Sequence, residues 1–176
     1  MKLDKYARDV ALWRDWAAIN YSAAKTLFES GDAFLLFPAA TLGHHALEMY
    51  LKSALIAHGM TVFDPKKVAS LDPGICLAPA DCAWGHGLIE LARKLASRNP
   101  HFHLSQQLEI VGYIVHREPM TVEEGLAIFE PFFTELRYPQ EMKQVIGLGA
   151  DELRLLDVLV QELRHARLWN NAPSQP

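Results

Sequence analysis

One stretch of this chain, residues 44–59, restricts the possible folds more than any other. Its apolar residues recur at positions i, i+3, i+4, i+7 and i+8, a spacing that places them on one face of a helix. They are Leu47, Tyr50, Leu51, Ala54 and Leu55. Gly59 follows as a residue that ends helices well, because a left-handed backbone conformation costs glycine nothing. The stretch therefore predicts the second half of a buried amphipathic helix.

Glu48 and Lys52 lie four residues apart in this stretch, acid before base, so their side chains share one side of the helix. One interpretation is a surface ion pair worth roughly 0.3–0.5 kcal/mol. The other is a functional pair, because it lies between apolar stripes, close to His44 and His45, on a face with less charge than a solvated face normally has. The sequence leaves both interpretations open.

Helical periodicity continues on both sides of this stretch. A first helix is predicted from residue 4 to about residue 29, followed by a turn at 30–32. A second helix is predicted from about residue 33 to residue 58. Pro38 lies inside it, so this helix is either continuous and bent, which we favour, or begins near Phe37. Joined by so short a turn, the two helices should pack antiparallel.

The second half of the chain also predicts helices. A third helix begins near residue 84 and ends at Asn99, before a proline. Residues 104–115 predict either a short helix or a strand. Thr121 and Glu124 form a capping-box pattern that opens a helix to about residue 136, with Pro131 inside it. A last amphipathic helix is predicted from Asp151 to about residue 169.

The remaining segments complete the predicted architecture. Residues 60–83 contain prolines and both cysteines but no helical period, which predicts a long surface loop. Residues 170–176 predict a disordered tail. We therefore expect residues 1–169 to form a single all-α domain, an up-and-down antiparallel bundle of four to six helices.

Charge and hydropathy exclude several classes of protein. The formal net charge of -4 argues against a broad nucleic-acid-binding surface, although a local basic groove remains compatible with it. The charged start of the chain lacks the apolar core of a signal peptide. No uncharged apolar run approaches the length that spans a bilayer. We therefore expect a cytoplasmic protein with no membrane association.

Three segments, in this order along the chain, resemble motifs of the HEPN domain family. Residues 46–52, Ala-Leu-Glu-Met-Tyr-Leu-Lys, resemble the A-x-E-x-x-x-K centre of the family's second helix. Residues 85–91, Gly-His-Gly-Leu-Ile-Glu-Leu, resemble the G-H-D-L-x-x-L start of its third helix. Residues 137–139, Arg-Tyr-Pro, resemble the R-Y-P near the end of the domain. The resemblance covers roughly residues 7–140.

This resemblance implies a HEPN-like helical bundle, often a homodimer, similar to the C-terminal helical domain of kanamycin nucleotidyltransferase. It also implies association with nucleotides or RNA, with minimal nucleotidyltransferases as partners, or with toxin–antitoxin systems in which some members are RNases. Gly87 departs from the family pattern, which usually has Asp at this position. The helix that follows therefore lacks a carboxylate at its start.

Four residues of these motifs are the candidate nucleotide- or phosphate-binding site: Glu48, Lys52, His86 and Arg137. We expect them to converge in a groove between helices. Lysine and arginine pair with phosphate, arginine in a bidentate manner, and His86 would lie at a helix N-terminus, where backbone N–H groups favour an anion. In the alternative interpretation, the same side chains hold the helices together through partly buried ion pairs and caps.

RNase members of the family carry an arginine, four to six variable residues and a histidine. Arg98 and His103 satisfy this spacing. However, so short a motif arises easily by chance, and Pro100 breaks the helix that would bring the two side chains together. We therefore favour a protein without RNase activity and assign no catalytic residue; the alternative that stays open is an RNase with His103 as general acid or base.

Several histidines and both cysteines raise the question of a metal centre. A structural zinc site needs close ligand pairs, and the five residues between Cys76 and Cys82 exceed the usual two to four. The histidines considered with them are His44, His45, His58, His101 and His103. We therefore expect no metal and no other cofactor.

Trp13 and Trp16 lie three residues apart on the first predicted helix, and one of them is a candidate for a self-association surface. Two functional hypotheses follow. The first is a nucleotide- or RNA-associated homodimer, with a possible nucleotidyltransferase-type partner. The second is a non-catalytic dimeric scaffold that mediates protein interactions and binds no ligand.

Overall fold

A computed structural model of the chain describes residues 8–62, 64, 66, 81–110, 120–134, 148–165 and 168–169. Over these residues the regular elements are helices and no strand forms, so the all-α prediction is confirmed. The helices are α1 (Val10–Glu29), α2 (Leu36–Ala57), α3 (Leu88–Arg98), α4 (Val122–Phe129), α5 (Pro131–Thr134) and α6 (Ala150–Arg164). None of these described helices has the length and apolar character needed to cross a lipid bilayer.

The first helix begins later than the pattern predicts, because Asp9 caps it. The Asp9 carboxylate accepts a hydrogen bond of 3.0 Å from a backbone N–H in the first turn of α1. At the other end, Gly31 adopts φ +70° and turns the chain. Asp32 then caps the next turn by accepting from the backbone N–H of Phe34 at 2.9 Å. The predicted turn at residues 30–32 is confirmed.

Pro38 lies in the first turn of α2. A short 3-10 turn, Ala33–Leu35, precedes the helix, and the α-helical hydrogen bonds begin at Leu36. Proline is tolerated there because backbone N–H groups of a first turn have no partner within the helix. The second helix therefore begins near Phe37, the alternative start, rather than running bent from residue 33. It ends at Ala57, and Gly59, just beyond the cap residue His58, adopts φ +84°.

Helix α2 is the centre of the bundle. It contacts each of the other helices named above, and most of its residues are buried. Trp13 at the start of α1 lies beside Lys52 near the end of α2, so the two helices are antiparallel, as predicted. Glu48 and Lys52 are each only 4% exposed. The interpretation of this pair as a surface ion pair is therefore wrong.

The described ends of the predicted loop at residues 60–83 are buried and held together. Thr61 donates to the carbonyl oxygen of Asp81 at 3.0 Å, and Ala83 donates to the carbonyl oxygen of Thr61 at 2.7 Å. Met60, Thr61 and Cys82 are each almost fully buried. These two ends therefore belong to the core rather than to a surface loop, whereas most of the segment, including Cys76, lies outside the described residues.

Residues 104–110 form neither the predicted helix nor a strand. They make an isolated antiparallel bridge between Gln107 and Thr121, in which Leu108 donates to the carbonyl oxygen of Met120 at 2.7 Å. The single bridge fixes this segment against the start of α4. The rest of the predicted element, residues 111–115, lies outside the described residues.

Two helix starts near the C-terminal half use glutamate caps. Thr121 and Glu124 form the predicted capping box at the start of α4. Glu152 accepts from the backbone N–H of Gly149 at 2.6 Å at the start of α6. Helix α4 stops at Phe129, before Pro131, so the predicted single helix is divided in two. Helix α6 ends at residue 164, earlier than predicted, and residues 170–176 lie outside the described residues.

Candidate functional site

The polar centre of the bundle is a buried ion pair on α2. Lys52 Nζ donates to Glu48 Oε1 at 2.5 Å, and both side chains are only 5% exposed. Removing two charges from water is costly, so such a pair is retained only where the geometry is close and further hydrogen bonds satisfy the groups. We call this pair and the three imidazoles around it the Glu48 cluster: His44, His45, Glu48, Lys52 and His86.

His86 joins the cluster from the segment before α3. Its Nδ1 lies 3.1 Å from Oε1 and 3.2 Å from Oε2 of Glu48. Because a carboxylate accepts hydrogen bonds, Nδ1 of His86 is the protonated nitrogen of this contact. The His86 side chain is 47% exposed, so one carboxylate holds an imidazole at the surface in a defined orientation.

His45 and His44 flank the same carboxylate. Nδ1 of His45 and Nε2 of His44 each lie 3.7 Å from Glu48 Oε2, just beyond hydrogen-bond distance. His44 is completely buried, and its Nδ1 donates to the carbonyl oxygen of Phe129 at 2.9 Å. Burial lowers the pKa of His44, although the Phe129 hydrogen bond and the Glu48 charge oppose this effect. In the neutral ring, Nε2 has no proton, and it has no hydrogen-bond partner among the described residues.

One aromatic ring covers the three imidazoles. The Phe133 ring centroid lies 4.4 Å from that of His86, 5.0 Å from that of His45 and 5.5 Å from that of His44, where the rings are stacked. Phe133 lies in α5, so this short helix closes the cluster on one side. The apolar ring excludes water from part of the cluster and thereby strengthens the charge interactions inside it.

The pKa of Glu48 indicates that the surrounding cationic groups stabilise its ionised form despite burial. Burial alone raises the pKa of this carboxyl, but His45, Lys52 and His86 together lower it to about 2. Glu48 is therefore ionised at physiological pH and balances the charge of Lys52. The Lys52 ammonium also lies 5.8 Å from the centre of the Trp13 ring, which adds a cation–π contact from α1.

A carboxylate of the protein occupies the N-terminus of α3. Gly87 has no side chain to cap this helix, and Glu130 Oε2 instead accepts from the backbone N–H groups of Leu88 at 2.6 Å and Ile89 at 3.2 Å. A Cβ atom at Gly87 would lie 3.1 Å from Glu130 Oε1. The anion position that the sequence analysis assigned to a phosphate is thus occupied by Glu130, and His86 precedes the cap rather than lying in the first turn.

Three of the four predicted site residues, Glu48, Lys52 and His86, therefore meet in one place, and Arg137 lies outside the described residues. The contributions of Phe133 and Glu130 were not predicted from the sequence. The only signal for Glu130 was indirect, since a helix that begins after a glycine needs a cap from elsewhere.

Arg98 and His103 do not form an RNase pair through a shared helix. Helix α3 ends at Arg98, as predicted, and the chain continues through Asn99 in an extended conformation. The Arg98 guanidinium lies 3.0 Å from Asp81 Oδ1. His103 is exposed, five residues beyond the last residue of the helix.

The remaining histidines are dispersed through the fold. His58 Nε2 lies 3.1 Å from the carbonyl oxygen of Leu168, and His101 lines a cavity of about 170 Å³ with His165 and Glu162. Cys82 is buried at the bridge with Thr61. Within the part of the chain that the structure describes, no group of three or more histidine, cysteine, aspartate or glutamate side chains is arranged to hold a metal ion.

Chemically, the Glu48 cluster combines a balanced buried ion pair with two partly exposed imidazoles that can donate or accept a proton. Comparisons with family models, with curated proteins and with solved structures give no match. The HEPN resemblance therefore stays a prediction carried by the motif residues.

Proposed function

We propose that this chain is a HEPN-like protein that associates with nucleotides or RNA through the exposed side of the Glu48 cluster. The observation that carries the proposal is the meeting of His86 with Glu48 and Lys52. Two motifs separated by 38 residues along the chain contribute to one carboxylate-centred cluster. Separate surface groups would not converge in this way.

In this proposal Glu48 positions the other groups and does not itself bind the ligand. A buried carboxylate would repel a phosphate, but its charge is balanced by Lys52, and it orients His86 by accepting from Nδ1. The contacts to the ligand come from the two partly exposed imidazoles, His86 and His45, whose side chains are 47% and 28% exposed. The Arg137 guanidinium supplies a bidentate phosphate contact.

The proposal includes the cellular role that the family resemblance implies. The chain acts in the cytoplasm as a homodimer, in a toxin–antitoxin system or beside a nucleotidyltransferase-type partner. It lacks RNase activity, because Pro100 separates Arg98 from His103 and the helix ends between them. No metal or other cofactor is needed for the binding step proposed here.

The test is a thermal-shift and calorimetric screen against ATP, GTP and short labelled RNA. A ligand that binds only the native state raises the Tm, by an amount equivalent to about 2.7 kcal/mol at a hundred times its Kd. His86→Gln should weaken this binding roughly tenfold or more, since one charge-assisted hydrogen bond contributes about 1.5–3 kcal/mol. Arg137→Ala should weaken it similarly, with little change in the Tm of the protein alone.

His103→Gln is the matched control, because it removes another exposed imidazole away from the cluster and should leave binding unchanged. Lys52→Ala is a poor test, since it leaves Glu48 buried and unpaired and lowers stability directly. The proposal is wrong if neither nucleotides nor RNA stabilise the chain, or if His86→Gln binds like the wild type. Cleavage of the labelled RNA by the wild type but not by His103→Ala would overturn the claim that RNase activity is absent.

A second candidate function, a dimeric scaffold without a ligand, is favoured by exposed apolar side chains on α1. Trp16 is 44% exposed and Ile19 is 64% exposed, and the two lie three residues apart on the same side of the helix. In this proposal α1 supplies the contact between two copies of the chain. Light scattering should then give a dimer for the wild type and a monomer for Trp16→Ser, whereas a monomeric wild type would contradict the scaffold.

A further inference from the structure

A polar cavity lies on the opposite side of α2 from the Glu48 cluster. Tyr50 is two residues from both Glu48 and Lys52, which places it about 200° around the helix from either of them. The cavity has a volume of about 290 Å³, close to the lower limit of small-ligand pockets. Its lining comes from α1, α2 and α6 and consists of Ala11, Arg14, Asp15, Ala18, Tyr50 and Arg164.

The hydroxyl of Tyr50 has no hydrogen-bond partner among the described residues, although the residue is only 1% exposed. Leaving a buried hydroxyl unsatisfied costs about 1–3 kcal/mol, so an orphaned group of this kind calls for a partner that the described residues do not supply. Burial raises the pKa of Tyr50, and the positive charges of Arg164 and Arg14 oppose that rise. The phenol is therefore protonated at physiological pH and is available as a donor.

Two guanidinium groups line the same cavity without an ion-pair partner in the described part of the chain. Arg14 projects from α1 and Arg164 from the last turn of α6. The Arg14 guanidinium carbon lies 4.7 Å from the centre of the Trp169 ring, a stacking contact that restricts the orientation of the side chain. Asp15 lines the cavity as well, so the lining has a net charge of +1 and includes one acceptor.

We propose that this cavity binds a phosphate-type oxyanion, held by the Tyr50 hydroxyl and the guanidinium groups of Arg14 and Arg164. Donors from three different helices suit a tetrahedral oxyanion, whereas a flat carboxylate is satisfied by a single guanidinium fork. The cavity also has an acceptor, Asp15, for a hydroxyl group. The ligand class is therefore a small organic phosphate that carries a hydroxyl group, and the site does not depend on the function proposed for the Glu48 cluster.

Inorganic phosphate is the probe for the first test, in calorimetry and thermal melts at constant ionic strength with chloride as the reference salt. Phosphate should raise the Tm of the wild type. Tyr50→Phe should keep or raise the Tm without phosphate, because it removes an unsatisfied hydroxyl, and should weaken phosphate binding roughly tenfold or more. Tyr21→Phe is the matched control: it breaks the 2.6 Å hydrogen bond to Asp157, so it should lower the Tm but leave phosphate binding intact.

A second pair of variants separates a specific site from general attraction by positive charge. Arg164→Gln and Arg154→Gln each remove one positive charge from α6, but only Arg164 lines the cavity. Arg164→Gln should weaken phosphate binding about tenfold, and Arg154→Gln should leave it unchanged. The proposal is overturned if phosphate has no effect beyond that of chloride, if Tyr50→Phe binds phosphate like the wild type, or if both arginine variants lose the same affinity.

Discussion

Replacing Glu48 with glutamine is the sharpest test of how the bundle centre is held together. The substitution keeps the size of the side chain and removes only its charge. It leaves Lys52, a residue that is only 4% exposed, without its 2.5 Å partner, and it removes the anion that His86 contacts. Because few waters can reach this position, the loss is not compensated by solvent.

The burial of the ion pair and the lowered pKa of Glu48 each indicate the size of the effect. Removing one member of a buried ion pair typically costs about 3–5 kcal/mol. The pKa of Glu48, lowered from 4.5 to about 2, corresponds to about 3 kcal/mol of stability at neutral pH. We therefore expect Glu48→Gln to lower the free energy of unfolding by about 3–5 kcal/mol at pH 7.

The pH dependence of this loss identifies its origin. Since the pKa of Glu48 is lower in the folded chain, its contribution is fully present above about pH 4.5 and is lost as the pH falls towards about 2. The glutamine does not titrate. Urea unfolding of both proteins at pH 7, 5, 4 and 3 should therefore show a constant difference down to pH 5 and a shrinking difference below it.

A double variant serves as the control. Glu48→Gln combined with Lys52→Met removes both charges and should recover much of the lost stability, because the buried ammonium is then gone as well. A difference below about 1 kcal/mol at pH 7 would refute the reasoning, since that is the range of solvent-screened surface pairs. A large difference that stays the same from pH 7 to pH 3 would refute the electrostatic origin.

Two further predictions concern neighbouring groups. Burial lowers the pKa of His44 below 6.5, so the wild type should lose stability as the pH falls below about 6.5, whereas His44→Asn should lack this part of the loss. Urea unfolding of both proteins at pH 7 and 5.5 measures the difference. An equal loss of stability in the two proteins would contradict the prediction. Gly87→Asp should lower the free energy of unfolding by about 1 kcal/mol, because the new aspartate carboxylate would approach the carboxylate of Glu130. Adding Glu130→Gln to this variant should restore the lost stability. Thermal melts of the single and double variants test this, and additive losses would contradict it.

Local signals in the sequence predicted some of the helix ends that the structure describes, namely the ends of α1, α2 and α3 and the starts of α4 and α6. Asp32, Gly59, Thr121 and Asn99 act within one turn of their own positions, so their effects are readable from neighbouring residues alone. Some of the predictions that failed concern a local pattern with two solutions. The start of α2 at Pro38 and the bridge at residues 104–110 depend on how the segment packs against other helices, which periodicity does not report.

The candidate site, too, was predicted from the sequence only where its residues are neighbours on one helix. The spacing of Glu48 and Lys52 already placed them side by side on one helix, but it did not reveal that the fold buries the pair. Glu48 and His86 are 38 residues apart in the sequence, and Glu130 lies 42 residues after Leu88, whose backbone N–H it caps. No local rule connects residues so far apart, and for Arg137 the expected position remains a prediction.

By itself the sequence determined that this chain forms helices and which faces of those helices are apolar, because helix formation depends on interactions within one or two turns. Only the tertiary structure decided which polar groups are buried together. It encloses one carboxylate with a lysine and three imidazoles, and it leaves a tyrosine hydroxyl beside two arginines without a partner among the described residues. The physical reason is that burial changes the strength of a charge or hydrogen bond, and burial depends on contacts between residues distant in the sequence.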